Sequence, residues 1–231
     1  MASNIEIQGY EFLTEDDFIP QKSFVQHPLW QQFVDSWKIL PIDPYMLDNG
    51  KYRRRRFGQF KLDTRTNNVV WVGNNAFFQA KEYNSLNGGI ARQFEPLMED
   101  IRNSEILAQL IRHFANKLPL VNQATKWLVN IHQIRIECNS NVAGKATPEG
   151  IHQDGHQYVA QILITRKNIA GGESILYSSP EQELTKKTLE NPLDTIFVND
   201  KKVWHAVTPI IPAIDKEAGF RDMLLLDYNT L

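Results

Sequence analysis

Trp127-Leu-Val-Asn-Ile-His-Gln-Ile-Arg-Ile-Glu-Cys138 marks the point where the chain stops reading as helix and starts reading as sheet. Apolar residues stand at 127, 129 and 131, the two-residue period of a strand with one face in a core, and then move to 134 and 136. This parity switch predicts a bulge or a change of exposed face near His132. Strand-like runs follow at 158–165, 173–177, 194–198, 203–209 and 221–228, punctuated by Gly171-Gly172, Ser179-Pro180 and Asn191-Pro192. The polar stretch 139–150 reads as a loop, and 209–220 as a long hairpin connection or edge loop. Short strands with no helices between them point to an antiparallel sandwich or barrel rather than a parallel α/β sheet.

Toward the N-terminus the period lengthens. Over 27–38, Leu29, Phe33, Val34 and Trp37 share a helical face, with Pro28 suited to the first helical position. Ile106, Leu107, Leu110, Ile111, Phe114 and Leu118 form a stronger stripe, with Ser104 as N-cap and Pro119 as stop. Both helices are expected to cover the outside of a sheet. If Lys51-Tyr-Arg-Arg-Arg-Arg-Phe57 is a strand, Arg53 and Arg55 face one side and Arg54 and Arg56 the other. Half of these are then solvated, and half pair with acids inside or along the sheet.

The 231 residues carry 25 Lys and Arg against 27 Asp and Glu, a net charge of −2, so no basic field favours nucleic acid or an anionic membrane. No apolar run is long enough for a transmembrane helix. The start, Met1-Ala-Ser-Asn-Ile-Glu-Ile, lacks the pattern of a signal peptide. The one cysteine, Cys138, excludes an internal disulfide and multi-cysteine metal sites, and reads as a small buried hydrophobe. The expectation is a cytoplasmic single domain over 1–231. Within it, 1–125 supplies helical and strand elements packed on a core formed by 126–231.

Chemistry concentrates in Gly150-Ile-His152-Gln-Asp154-Gly-His156. His152 and Asp154, two apart on an extended backbone, point to the same side and can grip one ion. A second imidazole would complete two histidines and a carboxylate on one face of a metal, an arrangement that leaves positions open for a co-substrate and O2. His205, in Val203-Trp-His-Ala-Val-Thr-Pro209, is the candidate; His156 is the alternative ligand, although Asp154-Gly155 signals a turn that would aim it elsewhere, toward the pocket lining or behind it. His132 reads as a hydrogen-bonded sheet histidine. Arg221 opens the last β-type run, where a buried guanidinium suits the far carboxylate of a dicarboxylic co-substrate. A zinc hydrolase could use the same triad but needs no such anchor. A cupin-like binding protein without turnover has no evident use for it either.

The order H-x-D, Gly-Gly-Glu, distal His, then Arg resembles the Fe(II)/2-oxoglutarate dioxygenases, and more closely their bacterial branch of free L-amino acid hydroxylases, which includes L-isoleucine dioxygenase. The matching segments are 52–57, 82–84, 88–94, 132–135, 148–158, 171–177, 203–209 and 220–225. The resemblance implies a mainly β double-stranded β-helix (a cupin-like jelly roll) with flanking helices. It implies that His152, Asp154 and His205 bind Fe(II) and that Arg221 holds the C5 carboxylate of 2-oxoglutarate. It further implies hydroxylation of an aliphatic L-amino acid as 2-oxoglutarate and O2 are consumed and succinate and CO2 formed. A carrier-bound residue, a peptide or another small metabolite is the alternative substrate. For the substrate carboxylate, Arg92 in Gly88-Gly-Ile-Ala-Arg-Gln-Phe94 and Arg135 are the rival candidates, with His156 nearby.

Overall fold

The structure is a computed structural model that describes residues 4–18, 24–84, 86, 88–119 and 124–231. The first three residues of the N-terminal stretch read above lie outside the described residues. The fold is mostly β, with strands β1 (Tyr10–Leu13), β2 (Arg53–Asp63), β3 (Asn68–Gly73), β4 (Phe77–Phe78), β5 (Ala91–Arg92), β6 (Lys126–Cys138) and β7 (Tyr158–Lys167). Then come β8 (Ile169–Gly171), β9 (Glu173–Ser179), β10 (Gln182–Thr188), β11 (Thr195–Asn199), β12 (Trp204–Val207), β13 (Ile210–Pro212) and β14 (Gly219–Thr230).

Seven of these form one antiparallel sheet in the order β1-β11-β7-β14-β6-β2-β3. Its outer face carries Phe60, Leu62, Trp127, Val129, Ile131, Ala160, Ile162, Leu224, Leu226 and Tyr228, buried in one cluster with Phe33, Trp37 and the helical stripe Ile106–Phe114. The inner face turns toward the smaller sheet β10-β9-β12, and Val159, Leu163, Ile196, Val198 and Met223 meet Leu176 and Val203 there. The two facing antiparallel sheets make the jelly roll. Because alternate side chains of each large-sheet strand go to opposite faces, one face stores apolar area for the helices. The other is free to line a cavity.

The parity switch in β6 has a different origin from the one expected. β6 pairs with β14 and with β2 without a register shift, so it carries no bulge. Both its faces are covered: 127, 129 and 131 by helices, 132, 134 and 136 by the cavity. Irregularities sit one strand away on either side, between β7 and β14 at Asp222/Met223 and between β2 and β3 at Gln59/Phe60.

The helix predicted over 27–38 begins later. Leu29 is the N-cap of α2 (Trp30–Asp35), so Pro28 precedes the helix, and Trp30 rather than the exposed Leu29 joins Phe33 and Trp37 in the core. Helices α1 (Asn4–Ile7) and α3 (Glu99–Arg102) are short; α4 (Glu105–Ala115) follows Ser104, whose side chain makes no capping hydrogen bond. The first 125 residues do more than pack on the core. β1, β2 and β3 are hydrogen-bonded members of the main sheet, and β2 sends Arg53 and Arg55 into the cavity. The stretch 209–220, read as a connection, contains β13 paired with β8, and the polar β10 carried no apolar alternation by which to be found. No helix among the described residues is long and apolar enough to cross a membrane.

Candidate active site

His152 and His205 are joined by a reciprocal pair of backbone hydrogen bonds, N to O at 3.0 and 2.9 Å, which adds His152 to the edge of β12 and sets the two imidazoles 4.4 Å apart. Asp154 follows on a turn held by one carboxylate. Asp200 accepts from the backbone N–H groups of Asp154 (2.9 Å), Gly155 (2.7 Å) and His156 (3.0 Å). Gly155 has φ +84, and a Cβ there would meet the Tyr83 ring at 2.7 Å, so glycine is required for the chain to turn away at this point. Burial pushes the Asp200 carboxyl upward, and the nearby Asp154 charge adds to this. Nothing in the sequence singled out Asp200.

The metal-type donors of His152, Asp154 and His205 lie within 4.8 Å of one another. His152 Nδ1 donates to the Gly150 carbonyl (3.0 Å), which leaves Nε2 facing Asp154 Oδ1 at 3.5 Å. His205 Nε2 lies 3.4 Å from Asp154 Oδ2, a buried oxygen with no hydrogen-bond partner. Two imidazole nitrogens converging on a buried carboxylate share positive charge with it, a proton in the free site or a divalent ion held on one face. Burial disfavours charge on His152, but Asp154 and Glu149 outweigh it and raise the imidazole to about 9. Metal entering here therefore displaces protons.

The cavity beside these donors is lined from both sheets. Arg221, 2% exposed, projects from β14; its Nη2 lies 3.5 Å from the Ser174 hydroxyl, and its Nε has no partner. Burial lowers its guanidinium to about 10, so it stays charged at neutral pH, and among the described residues it makes no ion pair. Gly171 (φ +76) lets the chain pass beneath: a Cβ there would sit 2.1 Å from the Pro209 carbonyl oxygen.

The second group of cations comprises Arg53, Arg55 and Arg92. Arg53 Nε is paired with buried Asp43 at 2.8 Å. Arg55 Nη2 donates to His132 Nδ1 at 2.6 Å, which places the imidazole proton on Nε2, donating to Asp227 at 2.8 Å. Burial and the Arg55 charge lower His132 to about 4, so it is neutral. Arg92 is 1% exposed, packs over Phe77 and Phe94, and donates from Nη2 to neutral Gln79 at 3.1 Å.

Two sequence candidates fall elsewhere. Arg135 does not face the cavity: it shares the outer face with its cross-strand neighbour Asp222, bonded through Nε and Nη2 at 2.7 Å each, and lies over Phe220. The two-residue period that puts His132 and Ile134 inside puts Arg135 outside. His156 is outside the cavity lining, where its Nδ1 meets Asn229 at 2.9 Å and its Nε2 lies 3.2 Å from Asp227. The structure adds residues that sequence reasoning did not single out: Gln79, Asn84, Glu149, Gln161 and Ser174. Glu149 was within reach, three residues before His152. Gln79 and Asn84 come from irregular chain with no periodic signal.

A profile of the family described as 2OG-Fe dioxygenase matches residues 34–227. The chain belongs to that family. Fe(II), 2-oxoglutarate and O2 are accordingly the cofactor and co-substrates of this dioxygenase, and the triad's donor set suits the metal. It is similar to L-isoleucine-4-hydroxylase of Bacillus thuringiensis, with 27% identity over 228 residues covering 97% of this chain and 92% of that one. The 3(1)-hydroxy-L-isoleucine 4-dioxygenase of Pantoea ananatis is 25% identical, covering 99% and 94%. Among solved structures, a bsmA homologue from Methylobium petroleophilum aligns with the dioxygenase at a TM-score of 0.82 and 30% identity, over 98% of this chain and 90% of that one.

Proposed function

We propose that the protein hydroxylates a free aliphatic L-amino acid of the isoleucine or leucine type while 2-oxoglutarate is converted to succinate and CO2. His152, Asp154 and His205 would hold Fe(II), which when bound supplies the oxidising chemistry. Arg221 would fix the C5 carboxylate of 2-oxoglutarate. The observation that carries the substrate reading is Arg92, a cavity guanidinium at 1% exposure that donates to the neutral Gln79 and has no acidic partner among the described residues. A buried cation without an anion is organised to receive one. An internal peptide residue, or one joined to a carrier through its carboxyl, has no free α-carboxylate and leaves Arg92 unmatched, which disfavours that alternative. Similarity to two enzymes named for isoleucine substrates supports the reading independently. A cytoplasmic setting belongs to the same reading.

The chain's own residues then bind, orient and exclude water. Gln79 Nε2 donates to the Asp154 carbonyl (2.9 Å) while its Oε1 accepts from Arg92, so the substrate anchor is tied directly to the metal segment. Ile134, Met223, Leu225 and Val207 supply apolar lining. The test is succinate formation from 2-oxoglutarate with Fe(II) and O2 across a panel of free L-amino acids. Strong stimulation by one aliphatic amino acid, lost in His205→Ala, is expected. Uniform background turnover across the panel would overturn the substrate assignment.

A further inference from the structure

The cavity contains three acidic side chains, and two are already committed. Asp154 lies between two imidazoles, and Asp227 is held by His132 at 2.8 Å and His156 at 3.2 Å. The third, Glu149, is engaged through one oxygen and leaves the other free. Its side chain is 6% exposed, its Oε2 is buried with no hydrogen-bond partner, and its Oε1 lies 3.4 Å from His152 Nε2 and 3.5 Å from Asn84 Nδ2. Among the described residues it does not belong to the group whose donors converge within 4.8 Å, which comprises His152, Asp154 and His205.

We propose that Glu149 receives the ammonium group of the substrate and is the residue that separates α-amino acids from other carboxylic acids. This rests on the function proposed above and deepens it. The cations on this side of the cavity are balanced except one: Arg53 by Asp43, and Arg55 through His132 by Asp227. What remains is one guanidinium, Arg92, with no acidic partner among the described residues, and one carboxylate, Glu149, whose Oε1 faces His152 at 3.4 Å and whose Oε2 has no hydrogen-bond partner. That is the charge pattern of a zwitterion turned inside out.

The spacing between the two is set by amide side chains. Gln79 Oε1 accepts from Arg92 (3.1 Å) and from Asn84 Nδ2 (3.2 Å), and Asn84 Nδ2 in turn lies beside Glu149. Arg92 and Glu149 thus stand at the two ends of a short polar row, with Gln79 also gripping the metal segment. An α-amino acid laid along this row presents its carboxylate to Arg92 and its ammonium to Oε2 of Glu149. A carboxylic acid lacking the ammonium leaves Oε2 buried and unsatisfied, which costs binding.

The experiment is anaerobic calorimetry on the Fe(II)- and 2-oxoglutarate-loaded protein, titrated with L-isoleucine and with 3-methylpentanoate, which lacks only the ammonium. Wild type is expected to prefer the amino acid strongly. Glu149→Gln, isosteric and relieved of a buried charge, should weaken L-isoleucine by about 10- to 100-fold while leaving 3-methylpentanoate within about threefold. Glu149→Asp, which keeps the charge but withdraws it, should fall between. Equal weakening of both ligands, or an unchanged preference, would overturn the assignment to the ammonium while leaving the proposed function standing. If wild type neither binds nor is stimulated by any free amino acid, the proposed function falls and this inference with it.

Discussion

Replacing Asp200 with asparagine tests whether a residue that touches no metal sets the geometry of the metal site. Both carboxylate oxygens are in use: Oδ1 accepts from Asp154 N, and Oδ2 from Gly155 N and His156 N. Asparagine has one oxygen. It can keep two of the three bonds at best, and its NH2 then confronts the remaining N–H. Hydrogen bonds to a charged acceptor contribute about 1.5–3 kcal/mol each. One is lost and the other two become neutral, for a gross loss of about 3–4 kcal/mol. Removing the charge also relieves repulsion from Asp154, which contributes to the upward push on Asp200. A net loss of about 2–3 kcal/mol follows, divided between unfolding free energy and metal affinity according to how far the turn frays. If it frays fully, Fe(II) binds about 30- to 150-fold more weakly, at tenfold per 1.4 kcal/mol. Anaerobic Fe(II) titration and urea unfolding on the same protein read both shares. A variant that matches wild type in both, within about twofold and 0.5 kcal/mol, would refute the clamp.

Arg221→Gln should raise KM for 2-oxoglutarate by about 100-fold, the loss expected for a buried bidentate carboxylate contact, with KM for the amino acid little changed; a shift under about threefold would remove Arg221 from that role. Arg135→Gln strands Asp222, whose side chain is 1% exposed, and should cost about 3 kcal/mol in urea unfolding without altering amino-acid KM. Arg92→Gln should do the reverse, so matching profiles for the two would contradict the assignment of faces. Acid stability offers a further check. With His132 lowered from 6.5 to about 4 in the fold, the unfolded chain takes up the proton first as pH falls through that window. Stability is therefore full above pH 6.5 and declines by up to about 3 kcal/mol toward pH 4. His132→Asn, which can still accept from Arg55 and donate to Asp227, should flatten this limb. An unchanged slope would show that His132 titrates alike in the folded and unfolded chain.

Much of the site was legible because its signals are local. A spacing of two residues put His152 and Asp154 on one side, and Gly155 announced the turn that keeps His156 out of the converging donors. The same period correctly divided Arg53 and Arg55 from Arg54 and Arg56. It did not say which side was the cavity, and Arg135 fell to the wrong face for that reason. β6 is buried on both faces, so apolarity could not distinguish the face against the helices from the face against the cavity. Pro28 illustrates the same limit, since a residue suited to a first helical turn sits just ahead of it when tertiary packing prefers Trp30 inside.

The sequence alone determined the antiparallel β class and the order of the chemistry-bearing segments, and it pointed to His152 and Asp154 by short-range period and to His205 by its place in that order. Only the tertiary structure decided that β12 brings His205 against His152, that Asp200 seizes three consecutive backbone N–H groups, and that Arg92 lacks an acidic partner and Glu149 keeps a free oxygen while Arg53 is paired with Asp43. Those facts depend on which distant strands pair and which charges meet across the cavity. Non-local pairing is fixed by the burial of the whole core, and no window of sequence contains it.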